Sequence, residues 1–268
     1  IHPDGNVIRR QQIITGDQNL HGEIVVEGTY EIGMQDQAFL GLEAALALPD
    51  SGGKGIEMFV ATQWLHEDQK QIAACLDLPN EKVRLTLGGV GGAFGAREDI
   101  SLQVHCALLA LRTSRPIKMQ YSREESFYGH VHRHPAKIFI RHHATRTGEI
   151  QRIEAKLVFD GGAYASTSSA VLINGVTHIQ GPYRCPNATV DGYAVRTNNP
   201  PCGAMRGFGV VQACYAHESQ MDKLAVACGL SPVEIRLRNA MVTGDKLITG
   251  QVVESVAPVA RCIRETDA

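Results

Sequence analysis

The chain has 268 residues, 44% of them hydrophobic and 20% charged. That balance is close to the globular average and excludes disorder and fibrous repeats. Its 26 Lys and Arg against 28 Asp and Glu leave a formal charge of −2, which gives no basic footprint for nucleic acid. The longest apolar stretch, Cys106 to Leu111, falls far short of the roughly 20 residues of a membrane span, so a soluble, cytoplasmic protein with no membrane partner is expected. Seven widely spaced cysteines with no Cys-x-x-Cys pair argue against a disulfide framework or a thiolate zinc knot. Ile1-His2-Pro3-Asp4-Gly5 is polar and lacks an initiating Met, which suggests a piece of a longer chain.

In chain order, Ile24-Val25-Val26 with Tyr30 reads as a strand, as does Ile56 to Ala61. Leu65 to Leu76 has helical spacing, closed by Pro79, and Val83 to Leu87 alternates as a half-buried strand does. After the glycine-rich Gly88 to Gly95, a helix is expected from Asp99 to about Arg112. Pro116 to Tyr121, Ala136 to His143 and Ile150 to Phe159 read as strands, the last two joined by a turn at Thr145-Arg146-Thr147-Gly148. Ala188 to Val195 is a further strand, and Pro200-Pro201 forces a loop. A long amphipathic helix then runs from Val211 to Cys228 and stops at Gly229; Ser231-Pro232-Val233-Glu234 opens another with a capping box. Strands and helices mix without a strict βαβ rhythm, so the class is α+β.

Two glycine loops carry most of the chemical signal. Gly88-Gly89-Val90-Gly91-Gly92-Ala93-Phe94-Gly95 lies between a strand and a helix, where free N–H groups suit an anion. It fails the dinucleotide fingerprint, because Phe94 stands where the third glycine belongs, and no Lys-Ser or Lys-Thr follows to make a P-loop. A tight structural turn is the plainer reading. The second loop, Ala204-Met205-Arg206-Gly207-Phe208-Gly209, holds a cation and a flat ring between glycines; the plainer reading folds Phe208 into the core.

His130, His132 and His134 alternate, with His142 and His143 nearby. A strand would put the first three on one face, a pattern that suits zinc. No acidic or thiolate partner has matching spacing, so solvated histidines leading into a strand are expected and no metal ligand is assigned. No Gly-x-Ser-x-Gly elbow supports nucleophilic catalysis. Glu98-Asp99 and Glu124-Glu125 read as helix-start acids before they read as catalytic ones.

Gly91-Gly92-Ala93-Phe94-Gly95-Ala96-Arg97-Glu98 resembles the Gly-Gly-Gly-Phe-Gly-Gly-Lys-Glu segment of the xanthine dehydrogenase and aldehyde oxidase family. Ala204 to Gly209 is similar to its Ala-Phe-Arg-Gly-Phe-Gly loop, Val60-Ala61-Thr62-Gln63 to its Ser-Thr-Gln segment, and Arg133-His134-Pro135 to its Arg-His-Pro. Asp222-Lys223-Leu224-Ala225, Pro232-x-Glu234-Ile235-Arg236 and Arg238-Asn239 follow in family order. The likeness runs from about Gly22 to Met241 and is nearest to the large molybdenum-binding subunits of bacterial xanthine dehydrogenases.

The resemblance implies the first molybdopterin-binding half-domain of a molybdenum hydroxylase, occupying 1–268. Such enzymes insert water-derived oxygen into a C–H bond of an N-heterocycle or aldehyde. Their cofactor is molybdenum-molybdopterin, often as the cytosine dinucleotide in bacteria, and iron–sulfur clusters and FAD sit on partner domains or subunits. Carried over, Gln63, Phe94, Gly95 and Arg206 bind the cofactor, the last three through backbone contacts. Phe208 stacks on the substrate and Glu98 bonds its polar edge. The family's substrate-side Arg, four positions before the His matched by His178, falls on Asn174, which disfavours xanthine itself. No catalytic residue is assigned, because the family's general-base Glu belongs to a later domain and nothing after Met241 matches it. The second molybdopterin-binding half, iron–sulfur and FAD domains are missing from the chain, so inactivity alone is expected. A non-catalytic binding module that keeps the fold is the alternative.

Overall fold

Apolar residues at every second position set the register of the larger sheet. In β7 (Ala136–Ala144), Ala136, Ile138, Ile140 and His142 face inward while Lys137 and Arg141 face out; in β8 (Ile150–Asp160), Ile153, Ala155, Leu157 and Phe159 do the same. The computed structural model describes residues 2, 3 and 5–267; Ile1 and Asp4 of the opening stretch lie outside them. The chain divides into two compact units.

One unit comprises the chain up to Gly33, His134–Asn199 and the chain from Gly207 onward. Its sheet runs β1 (Val7–Thr15), β9 (Asn187–Val195), β8, β7, β2 (Ile24–Ile32), antiparallel except for the parallel β8–β9 pair. The helices α4 (Ser168–Thr177) and α5 (Val210–Cys228) cover one face, α4 over β1 and β9 and α5 over β2 and β7. Ile138, Ile140, Leu157, Phe159, Leu172 and Met221 are fully buried between them, each contributing about 1.5–3 kcal/mol of transfer free energy. Tyr30 Oη donates to Gln220 Oε1 at 2.6 Å and Gln220 Nε2 donates to the Val26 carbonyl at 2.8 Å, which pins α5 to β2. Gly229 ends α5 in the left-handed conformation at φ +66°, as a C-terminal glycine should. Beyond it come α6 (Pro232–Asn239) and α7 (Val259–Asp267).

The other unit comprises Met34–Arg133 and Pro200–Arg206. Its four strands are ordered β5 (Val83–Leu87), β4 (Ile56–Val60), β3 (Ala44–Pro49), β6 (Ile117–Gln120), with β4–β5 parallel. The helices α1 (Leu65–Cys75) and α2 (Gln103–Thr113) bury Ile72, Ala73, Cys106, Ala107 and Ala110 against Met58, Val60 and Val83. Cys106 is a fully buried small hydrophobe there. A short helix, α3 (Arg123–Gly129), follows β6 with a complete capping box at Ser122 and Glu125.

The α+β class and the expected strands and helices are present, with one boundary changed. The helix after the first glycine loop starts at Gln103 rather than Asp99, because the Ser101 backbone N–H donates to Gln103 Oε1 at 2.6 Å and holds that segment in a turn. Strands β1 and β3 and helices α3, α4 and α7 are not among the elements expected above, although the Ser122 and Glu125 pair marks the start of α3. Arg9-Arg10-Gln11-Gln12 dilutes the alternation of edge strand β1, and the alanines of β3 favour no strand. No helix among the described residues is long and apolar enough to cross a membrane.

Ser231 Oγ accepts the Glu234 N–H at 3.1 Å while Glu234 Oε2 accepts the Ser231 N–H at 2.8 Å. Ser231→Ala removes one arm of this box and should lower the unfolding free energy by about 1 kcal/mol in urea titrations, with an unchanged m value.

Candidate functional site

The first glycine loop is held in a conformation that side chains rarely adopt. Gly92, Phe94 and Gly95 all have positive φ, at +95°, +53° and +105°. A left-handed Phe costs about 1 kcal/mol or more and persists only where its surroundings over-determine it. Here they do. The Gly95 N–H donates to Gln63 Oε1 at 3.0 Å, and the Phe94 carbonyl accepts the Arg206 N–H at 2.8 Å. A Cβ on Gly95 would lie 2.5 Å from the Ala204 carbonyl oxygen, so only glycine lets the two loops approach this closely.

These bonds bring Gln63, Phe94, Gly95 and Arg206 to one place within this unit, and they decide what each residue can still offer. The N–H groups of Gly95 and Arg206 are already used. By contrast, the N–H groups of Gly91, Gly92, Ala93 and Phe94 donate to nothing among the described residues. Because the Gln63 oxygen faces a donor, its Nε2 is the end presented outward. Arg206 is exposed, and its guanidinium makes no hydrogen bond or ion pair among the described residues. The free N–H groups, the Gln63 Nε2 and the Arg206 guanidinium are all donors, and the Gly92 carbonyl is the free main-chain acceptor beside them.

Arg97 clamps the loop from beneath. It is buried, stacks 4.7 Å over the Phe39 ring, and donates to the carbonyls of Gly41 and of Ala61, the latter at 3.3 Å. Its own carbonyl accepts the Gln63 N–H at 2.9 Å and Thr62 Oγ1 at 3.2 Å. Gly41 is a partner that the sequence pattern does not reveal: its N–H donates to the Gly91 carbonyl at 2.8 Å, and the two glycines leave no room for a Cβ between them. Asp68, which reads as an ordinary first-turn acid of α1, is fully buried. Burial pushes its carboxyl up to about 6, against the hydrogen bonds from Thr62 and Gln103. Glu98 is half-buried on the same turn, its N–H bonded to the Gly95 carbonyl at 3.1 Å; burial, then Asp99, raises its carboxyl.

Asn174 and Phe208 belong to the unit built on the five-stranded sheet. Phe208 is also left-handed, at φ +46°, between Gly207 at +87° and Gly209 at +98°. It is half-buried against the core cluster, which is part of the plainer reading of this loop. A Cβ on Gly209 would sit 2.2 Å from the Val171 carbonyl and 3.1 Å from the Gly175 nitrogen. The loop therefore lies on the α4 turn that carries Asn174. The half-buried amide side chain of Asn174 has no hydrogen-bond partner among the described residues; its main-chain carbonyl accepts the His178 N–H at 3.1 Å.

The histidine run departs from expectation. His130, His132 and His134 are buried rather than solvated, and they do not share one environment. His130 and His132 stack at 5.1 Å and meet acidic partners remote in sequence, Asp36 and Glu43. In the other unit, His134 Nε2 lies 2.8 Å from Ser168 Oγ. His142, on the inward face of β7, is held neutral by burial, to about 3.

Gly95→Ala should cost at least about 1–2 kcal/mol in chemical denaturation, since it meets both a positive φ and a backbone oxygen. Asp68 has a folded pKa raised above its unfolded value, so the folded state holds its proton longer and stability falls as pH rises from about 4 through about 6. Asp68→Asn should match the parent chain near pH 4 and exceed its stability at pH 7 by on the order of 2 kcal/mol.

Comparison with known proteins places this arrangement. The chain is 42% identical over 258 residues to the nicotinate dehydrogenase large molybdopterin subunit of Eubacterium barkeri, covering 95% of this chain and 60% of that one. It is 36% identical over 261 residues to a probable xanthine dehydrogenase subunit of Bacillus subtilis, covering 96% of this chain and 34% of that one. The aldehyde oxidoreductase from Desulfovibrio gigas superposes with a TM-score of 0.92 at 26% identity, over 99% of this chain and 30% of that one. The chain thus spans less than two thirds of each of these proteins. The model of the molybdopterin cofactor-binding domain matches residues 1–240, and the chain belongs to that family.

Proposed function

We propose that this chain is the first molybdopterin-binding half of a molybdenum hydroxylase whose substrate is an N-heteroaromatic ring. The observation that carries the reading is the row of unpaired donors in the first glycine loop. Four unpaired N–H groups from Gly91 to Phe94, the Gln63 amide nitrogen and the Arg206 guanidinium converge with no competing acceptor side chain hydrogen-bonded to them. That set fits an oxygen-rich, anionic group such as a pterin phosphate and the oxygen ligands of a metal.

When bound, the molybdenum cofactor supplies two-electron oxidation with oxygen drawn from water. The chain's own part is to bind and orient. Gly95 fixes the Gln63 amide through its oxygen, so Nε2 is pre-aimed as a donor toward a cofactor oxygen. Gly91 to Phe94 offer main-chain donors at positions where side chains would obstruct approach, and Arg206 adds charge. For the substrate, the unit built on the five-stranded sheet offers the aromatic face of Phe208 and the neutral amide of Asn174; the other unit, taken by itself, offers Glu98, whose carboxyl keeps its proton more readily than a free one. A neutral amide and a protonatable carboxyl match the ring nitrogens and polar substituents of a heterocycle; the first two relatives above carry names of that chemical class. The second molybdopterin-binding half, the general base, the iron–sulfur clusters and FAD belong to the remainder of the parent enzyme and its partners.

The test uses the full-length subunit with its partner subunits. Wild type should carry about one molybdenum per subunit and reduce a dye when given an N-heteroaromatic substrate. Gln63→Glu keeps an oxygen for Gly95 but removes the outward donor; it should retain the cofactor while kcat falls about 100-fold. Molybdenum bound with no substrate-dependent reduction by wild type would favour the non-catalytic module instead.

A further inference from the structure

Beneath the Pro200–Arg206 segment, in the same unit, one carboxylate oxygen and two imidazole nitrogens cluster at a place that the cofactor reading does not use. Asp36 Oδ2 lies 3.1 Å from His130 Nε2 and 3.1 Å from His132 Nε2. His130 Nε2 donates a hydrogen bond to Gln37 Oε1 at 3.2 Å, and His132 Nε2 donates one to the Phe127 carbonyl at 2.9 Å. The His130 side chain is 2% exposed. We propose that Asp36, His130 and His132 hold a divalent transition-metal ion of the zinc type, which would replace the protons on the two Nε2 atoms.

Three features support an ion over protons alone. First, the spacings are right: neighbouring ligands on an ion with bonds of about 2.1 Å sit about 3 Å apart. Second, Asp36 Oδ2 is buried and close to both rings, yet it accepts a geometrically sound hydrogen bond from neither. Two ligands of one ion have this relation, each lying off the other's axis. Third, the His130 and His132 rings stack nearly parallel, 20° apart at 5.1 Å. This stacking sets both Nε2 atoms at 3.1 Å from the same carboxylate oxygen.

The surroundings match what a metal-bound histidine needs. His130 Nδ1 faces Glu43 Oε1 at 2.9 Å, and the Glu43 side chain is 5% exposed. A carboxylate beside the far nitrogen raises the ring's basicity toward a metal. Asp36 Oδ1 accepts the Ala38 N–H at 2.6 Å, which leaves Oδ2 as the single oxygen turned to the rings. The role would be to brace the second glycine loop. Gln37 Nε2 donates to the Ala204 carbonyl at 2.8 Å, and the His132 carbonyl accepts the Gly203 N–H at 2.9 Å. None of these contacts depends on the hydroxylase reading, so the ion site stands or falls separately from it.

The test is calorimetric titration of the chelator-treated full chain with Zn2+, repeated with Co2+ under visible spectroscopy. Wild type should bind one ion, and the Co2+ form should show d–d bands without thiolate charge transfer. His132→Asn should abolish this binding, and Glu43→Gln should weaken it by about 10- to 100-fold. If the variants misfold, the wild-type Co2+ spectrum and a rise in Tm with Zn2+ still decide. No saturable binding by wild type, binding that persists in His132→Asn, or a thiolate band would overturn the site and leave a proton-linked histidine–carboxylate network.

Discussion

The hydrogen bond from the Gly95 N–H to Gln63 Oε1 organises the first glycine loop. It closes a turn in which Phe94 is left-handed, and it settles which end of the Gln63 amide faces outward. The strain at Phe94 is balanced by the bond from Arg206 to the Phe94 carbonyl and by the buried Arg97 clamp. Because Arg97 spends its donors on main-chain carbonyls of other segments, the loop is locked without covering its own N–H groups. The result is a rigid row of unpaired donors, an arrangement that costs free energy unless water or an anionic ligand satisfies it.

The same local device recurs in the other unit. Phe208, like Phe94, is a left-handed aromatic residue followed by a left-handed glycine, and Gly209 fits against α4 where a Cβ has no room. In both cases the glycine permits a close approach that the aromatic residue then occupies with a strained backbone. Among the described non-glycine residues with positive φ, Phe94 and Phe208 are the two aromatic ones, and both sit in glycine loops.

Much of this scaffold is legible in the sequence. The alternation in Ala136 to His143 and Ile150 to Phe159 and the capping box at Ser231 each name an element through a local rule. Both glycine loops also stand out, because positive φ demands glycine and glycine is visible. What the pattern hides depends on residues remote in sequence. Gly41 meets Gly91, Asp68 is buried beneath Thr62 and Gln103, and Asp36 and Glu43 reach His130 only in the folded chain. The histidines read as solvated because no acidic or thiolate partner has matching spacing along the chain. Strand β3 is missed for a different reason: its alanines take their conformation from the strands on either side.

Backbone amide hydrogen exchange, compared between cofactor-loaded and cofactor-free full-length subunit, tests the central claim most directly. Unpaired N–H groups that bind a ligand should slow sharply on loading, while one already bonded within the chain should change little. Exchange at Gly91, Gly92, Ala93 and Phe94 is predicted to slow by about tenfold or more with cofactor, with Gly95 nearly unchanged. Equally fast exchange at all four amides in both forms would contradict the donor cradle.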